Sequence, residues 1–175
     1  EYIPLPQVTG GLYERMHKPL AGFSRGGTKQ APLIMKNQQV AFNIGYEDGF
    51  GDELIASAKQ SSVLANTSNM AWYGRSNAMF QHAQQSQARA LELGRYMVRA
   101  TNTGFTAIIT PQGKIALSAS PDTATVLTGQ IEGYHGETPY MKTGSSWPLM
   151  FILSLIMATL FILNRRYVSS KLKIR

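Results

Sequence analysis

The residues best placed to do chemistry lie in the stretch Val40-Ala41-Phe42-Asn43-Ile44-Gly45-Tyr46-Glu47-Asp48. Val40, Phe42 and Ile44 alternate with Ala41 and Asn43, the period of a β-strand, and Gly49 and Gly51 permit a tight turn just beyond. A side chain at the end of such a strand is exposed by the turn, and the next backbone N–H points toward the same reacting atom. In an acyl transfer that N–H, from Tyr46, stabilises the oxyanion. A thiolate suits the nucleophile position, because sulfur forms a thioester readily at neutral pH. Position 45 is glycine, however, which offers no side-chain atom, and the chain has no cysteine at all. Read alone, the stretch is a strand and a turn followed by two acids, Glu47 and Asp48.

Other constellations are weaker. His17, His82 and His135 are far apart and lack ligand spacing, which argues against a metal. The absence of cysteine excludes disulfides and thiolate metal sites, and no cofactor is implied. No Gly-x-Ser-x-Gly is present, which weakens a serine hydrolase. Arg25-Gly26-Gly27-Thr28-Lys29 could contact a lipid phosphate, but a lone Gly-Gly loop is a weak signal and a surface loop explains it better.

The elements that must carry the elbow are those of an α/β domain. Residues 1–38 read as loop, punctuated by Pro4, Pro6, Pro19 and Pro32. Within them Leu12, Tyr13, Met16, Leu20 and Phe23 alternate with Arg15, His17 and Lys18; this suits either a short amphipathic element at a lipid surface or a loop packed on its own domain. Beyond the elbow, Asp52 is placed to cap a helix running to about Lys59. Ser62 to Thr67 reads as a second strand. Asn77 to Gly94 reads as a helix with Met79, Ala83, Ala90 and Leu91 as its apolar stripe and Gly94 as its stop. Two runs flanking Thr110-Pro111-Gln112-Gly113 predict a hairpin, and Thr123 to Ile131 predicts one more strand.

The run from Trp147 to Leu163 contains no charge over 17 residues, and a bilayer-spanning helix needs roughly 17–25. A buried core helix is the alternative, although such helices usually carry a polar stripe. Arg165, Arg166, Lys171, Lys173 and Arg175 follow at once. The net charge of +7 comes from 17 Lys and Arg against 10 Asp and Glu, and these five account for most of it. The balance over the remainder is small, which argues against a nucleic-acid partner. Retained positive charge after an apolar span predicts a cytoplasmic C-terminus with residues 1–146 on the outer side. The expected organisation is a domain over 1–146, a transmembrane helix over 147–164 and a basic tail over 165–175. The first residue is Glu1, so the chain reads as processed or as the C-terminal part of something longer.

Five segments, in order, resemble the nitrilase superfamily. Asn43-Ile44-Gly45-Tyr46-Glu47 resembles its nucleophile elbow, where cysteine occupies the position of Gly45. Glu1-Tyr2-Ile3-Pro4-Leu5 resembles the segment that follows the family's catalytic lysine, and Phe23-Ser24-Arg25-Gly26 a stretch of one branch. Ser68-Asn69-Met70-Ala71-Trp72-Tyr73-Gly74 resembles a Ser-Asn-Asp-Ala-Trp-Phe-Gly motif. Gln87 to Glu92 with Arg99-Ala100-Thr101-Asn102-Thr103-Gly104 resembles an arginine-rich helix and its following strand. With a hydrophobic C-terminal segment, the set resembles the apolipoprotein N-acyltransferase branch.

The resemblance implies the C-terminal part of an α-β-β-α sandwich on the periplasmic side of a multi-pass protein of the bacterial inner membrane. It implies transfer of an acyl chain from a phospholipid to the cysteine, and then to the free α-amino group of a diacylglyceryl-cysteine at an apolipoprotein N-terminus. The general-base glutamate, the oxyanion lysine and the other membrane helices would lie upstream of Glu1. Carried over by position, Gly45 stands for the nucleophile, and Tyr46 supplies the adjacent N–H. Glu47 and Glu1 are the active-site glutamates, each suited to orienting the lysine or amine, or to a buried ion pair. Asn69, Trp72 and Tyr73 match positions that border the substrate, although for the two aromatics plain packing is the better explanation. Two departures stand out. Gly45 makes this chain inactive as written, and Met70 replaces the usual aspartate. A membrane-tethered amidase and a non-catalytic lipoprotein-binding homologue remain the alternative functions.

Overall fold

The computed structural model describes residues 26–27 and 29–172, with side chains through Arg165. Glu1 and the segment over 12–23 lie outside the described residues, as does part of the loop at 25–29. Among the described residues, six strands form one mixed sheet in sequence order: β1 (Leu33–Met35), β2 (Gln38–Ile44), β3 (Val63–Ser68), β4 (Tyr96–Thr101), β5 (Ala107–Ile109) and β6 (Ile115–Ser118). The strands β2, β3 and β4 run parallel, and the outer pairs are antiparallel. Parallel neighbours require crossovers. Helix α1 (Gly51–Lys59) joins β2 to β3, and α2 (Ala78–Leu93) joins β3 to β4.

The loop expected up to residue 38 ends in a strand. Lys36 and Asn37 both have positive φ, at 45° and 66°, the conformation that closes a two-residue hairpin between β1 and β2. The predicted second hairpin is β5 and β6. The run from Thr123 to Ile131 forms no strand. Its β-branched residues favour a pleated surface, but this segment approaches the sheet's face instead of joining its edge. Ile131 packs on Val40, Val63 and Ala65, and the Tyr134 N–H donates to the Ser62 carbonyl at 3.0 Å.

The main core lies under the helices. Ala41, Leu64, Met97, Ala107 and Ile109 from the sheet meet Ala58, Ala90 and Leu93 from α1 and α2. On β2 this puts Ala41 and Asn43 inward, while Phe42 and Ile44 stay exposed on the other face. Helix α2 buries Met79, His82, Ala83, Ser86, Ala90 and Leu93, a stripe of spacing three and four. Leu91, expected in that stripe, is exposed. Gly94 ends the helix with φ of 60°, its N–H turned back to the Ala90 and Leu91 carbonyls, as a left-handed C-terminal residue does. Arg95 follows, buried and satisfied by four backbone carbonyls, those of Ser61, Leu93, Gly94 and Gly136. Burial lowers its pKa from the usual arginine value.

Asp52 does not cap α1, whose N-cap residue is Phe50. Its carboxylate accepts from the Ser145 N–H at 3.0 Å, from the Ser145 hydroxyl, and from the Tyr140 hydroxyl at 2.8 Å. These donors hold its pKa below the ordinary aspartate value and tie α1 to the segment around α3 (Pro139–Thr143). Helix α4 (Ser146–Leu172) then departs. An 18-residue window within Ser146–Arg165 has mean hydropathy 2.2, and none of it is buried against the other described residues. That length and composition suffice to cross a bilayer. Ser154 and Thr159 donate to the carbonyls of Met150 and Leu155, four residues back, each at 2.8 Å, so their hydroxyls stay satisfied in an apolar medium.

Candidate active site

Strand β2 ends at Ile44, and Gly45–Gly49 turn at once into a 3-10 helix. Gly45 has φ of 58°, in the left-handed region that costs any residue with a Cβ about 1–2 kcal/mol. A residue with a Cβ held there would carry the kind of backbone strain that clusters at reactive positions. Tyr46 stands second in the turn, where a backbone N–H has no acceptor within the helix. Glu47 folds back, its carboxylate accepting from the Ile44 N–H at 2.7 Å. The structure thus places Glu47 on the elbow's own backbone and leaves it exposed.

The Gly45 carbonyl is gripped from behind. Asn66 Nδ2 donates to it at 3.0 Å, and His82 Nε2 lies 2.9 Å away. Asn43, Asn66 and Arg99 occupy one row across β2, β3 and β4, all on the helix-covered face. Helix α2 adds His82 and Ser86, and the turn adds Asp48. The result is a buried polar network in which Asp48 is 0% exposed and Arg99 1%.

The donors and acceptors define its internal order. Arg99 donates through Nη1 to Ser86 Oγ (2.8 Å), Asn66 Oδ1 (3.1 Å) and Asp48 Oδ2 (3.4 Å). Its Nη2 lies 2.8 Å from His82 Nδ1, and its Nε donates to the Phe105 carbonyl at 3.0 Å. A guanidinium has no acceptor, so His82 Nδ1 accepts and the ring proton sits on Nε2. From there it reaches Asp48 Oδ1 (2.8 Å) and the Gly45 carbonyl. Ser86 donates to Asp48 Oδ2. Asn66 accepts from Ser68 at 2.5 Å as well as from Arg99, and gives its other N–H to Asn43. Burial pulls the Arg99 pKa below its usual value, with the Asp48 carboxylate opposing.

Met70 is buried with its sulfur 3.2 Å from His82 Nδ1. Asn69 and Asn102 bridge the ends of β3 and β4: Asn102 Nδ2 donates to Asn69 Oδ1 at 2.7 Å, and the Met70 N–H to Asn102 Oδ1 at 2.9 Å. Because β2, β3 and β4 are parallel, these ends share one side of the sheet with Gly45. Ligands of open α/β sheets bind outside such carboxyl ends. Trp72 and Tyr73 stand there, 52% and 54% exposed among the described residues. Tyr46 and Phe50 meet edge to face, with ring centroids 6.0 Å apart, and both are exposed. A separate cavity of about 130 Å³ at Gln30, Leu33, Val40 and Ser57 includes no residue of the elbow.

Gly45, Tyr46 and Glu47 therefore form one unit, with Asn69, Trp72 and Tyr73 at the same sheet end. The Asp48–His82–Arg99 network was not anticipated. Its signal was polar residues at inward strand positions, Asn43, Asn66 and Arg99, because buried polar groups are the informative exceptions.

The carbon-nitrogen hydrolase family model matches residues 3–140. An apolipoprotein N-acyltransferase of Neisseria meningitidis serogroup A is 68% identical over 166 residues, covering 95% of this chain and 32% of that protein. One from Chromobacterium violaceum is 56% identical over 145 residues, covering 83% of this chain and 28% of the relative. The chain thus spans about a third of the length of the curated relatives it matches. Among solved structures, a cysteine-to-alanine mutant of a Nesterenkonia amidase of the nitrilase superfamily aligns at TM-score 0.48 and 18% identity, covering 60% of this chain and 42% of that one.

Proposed function

The chain belongs to the carbon-nitrogen hydrolase family, and from that premise we propose that it is the elbow-bearing part of a phospholipid-dependent apolipoprotein N-acyltransferase that lacks its nucleophile. The observation carrying this reading is Gly45: a left-handed residue at a strand end, its carbonyl held by Asn66 and His82, in a chain 68% identical to a protein of that name.

With a thiol at position 45 the chemistry would run in two steps. The thiolate attacks the ester carbonyl of a phospholipid, a C–S bond forms, and the carbonyl pair moves onto oxygen beside the Tyr46 N–H. Collapse breaks the C–O bond, and the lysophospholipid leaves as an alcohol carrying the proton. The free α-amino group of a diacylglyceryl-cysteine then attacks the thioester, an amide forms, and the thiol is restored. An upstream glutamate and lysine would move the proton and share the oxyanion. In this chain Gly45 provides no bond-forming atom, so neither step proceeds. Trp72 and Tyr73 would border the acyl chain, and Asn69 would hold their turn. Residues 147–164 would cross the inner membrane, leaving residues 1–146 in the periplasm and the basic tail in the cytoplasm.

The test is Gly45→Cys in the intact protein, mixed with phosphatidylethanolamine vesicles and read by intact mass. The expected result is one added acyl chain, labile to hydroxylamine, with release of lysophospholipid; unsubstituted protein should show none. A correctly folded variant that gains no acyl mass would overturn the reading.

A further inference from the structure

The peptide between Gly45 and Tyr46 is trans, as every described peptide is. In a trans peptide the C=O and N–H point in opposite directions. Asn66 and His82 hold the Gly45 oxygen toward the buried side, at 3.0 and 2.9 Å. The N–H of the same peptide unit, that of Tyr46, must therefore point away from that buried network.

We propose that His82 and Asn66 are positioning residues for acyl transfer at this elbow: by gripping the Gly45 carbonyl they aim the Tyr46 N–H at the developing oxyanion. Both donors are themselves constrained. Arg99 occupies His82 Nδ1 and forces the ring proton to Nε2. Arg99 and Ser68 occupy Asn66 Oδ1, which turns the amide nitrogen toward Gly45. Asp48 shares the His82 proton and keeps the ring in line. The preorganisation is the point: a donor fixed before the reaction has no reorientation to make when charge develops. The inference rests on the elbow being an acyl-transfer site, and does not depend on which ester it takes.

The experiment uses the intact protein carrying Gly45→Cys, alone and combined with His82→Leu, His82→Gln or Asn66→Leu. Two reactions of the introduced thiol are timed. Acylation by p-nitrophenyl butyrate passes through an oxyanion: sulfur bonds to the carbonyl carbon, the pair on oxygen returns, and nitrophenolate leaves. Alkylation by iodoacetamide displaces iodide directly and forms no oxyanion. His82→Leu and Asn66→Leu should each slow acylation on the order of 100-fold, the loss typical of one oxyanion donor, with alkylation unchanged. His82→Gln restores an N–H near the Nε2 position and should recover most of the rate. Unchanged acylation in the Leu variants, or acylation and alkylation falling together, would overturn the proposal. So would a parent variant that is alkylated but never acylated by the nitrophenyl ester. A parent that takes the nitrophenyl ester but not phospholipid contradicts the phospholipid reading and leaves this inference standing.

Discussion

Replacing Arg99 with Met tests whether the buried network holds the fold together as well as orienting the elbow. Arg99 and Asp48 are among the most buried side chains of the molecule, and Nη1 of one lies 3.4 Å from Oδ2 of the other. Removing one member of a buried pair costs about 3–5 kcal/mol, because the remaining charge is left without its counter-charge. Asp48 would keep its donors His82 and Ser86, and Asn66 Oδ1 would keep Ser68. The Phe105 carbonyl would lose the Arg99 Nε donor. These surviving donors place the expected loss near the lower end, about 3 kcal/mol. At about 2–4 °C per kcal/mol for a chain of this size, the melting temperature should fall on the order of 10 °C. The assay is thermal unfolding in detergent followed by circular dichroism, on Arg99→Met, Asp48→Asn and the double variant. Because most of each single loss is an orphaned charge, the double variant should be more stable than the two losses added together predict, by at least about 1 kcal/mol. Strict additivity, or an Arg99→Met variant that melts with the parent, would refute the reasoning.

Two further outcomes follow from the helix that carries His82. Gly94→Ala forces a Cβ into a φ of 60° and to 2.9 Å from Thr138 Cγ2, and should cost about 1–2 kcal/mol in chemical denaturation; an unchanged midpoint would contradict the left-handed cap. Glu92, held above the ordinary glutamate value chiefly by burial with Arg89 opposing, binds its proton more tightly in the folded state. Its contribution is therefore complete below the unfolded glutamate value and declines as pH rises through the raised one. The stability of the parent minus that of Glu92→Gln should fall as pH climbs above about 4, and a rising difference would show the sign to be wrong.

Local features were legible where one residue type has one physical use. Gly94 beyond an amphipathic run marked a helix end, and Thr110-Pro111-Gln112-Gly113 marked a turn between strands. The failures were of a different kind. Asp52 has the chemistry of an N-cap, yet it serves Ser145 and Tyr140, partners 93 and 88 positions along the chain. Leu91 fits the spacing of an apolar stripe, yet it lies off the side that packs on the sheet. The run from Thr123 to Ile131 has the composition of a strand but no place in the sheet's order.

The sequence by itself determined the elbow's chemistry. It placed a strand-to-turn junction at Gly45, supplied the Tyr46 N–H, withheld any thiol, and set an apolar segment after the domain. These follow from composition and short-range spacing, which the chain carries at every point. The tertiary structure alone decided what stands behind the elbow. Alternation along β2 yields two faces of equal standing, and only the helices packed on one of them made Asn43 inward and Phe42 outward. Strand register then set Asn43, Asn66 and Arg99 in one row, and α2 brought His82 and Ser86 to Asp48 across 34 and 38 positions. Contacts over such separations depend on how whole elements dock, and no local pattern encodes them.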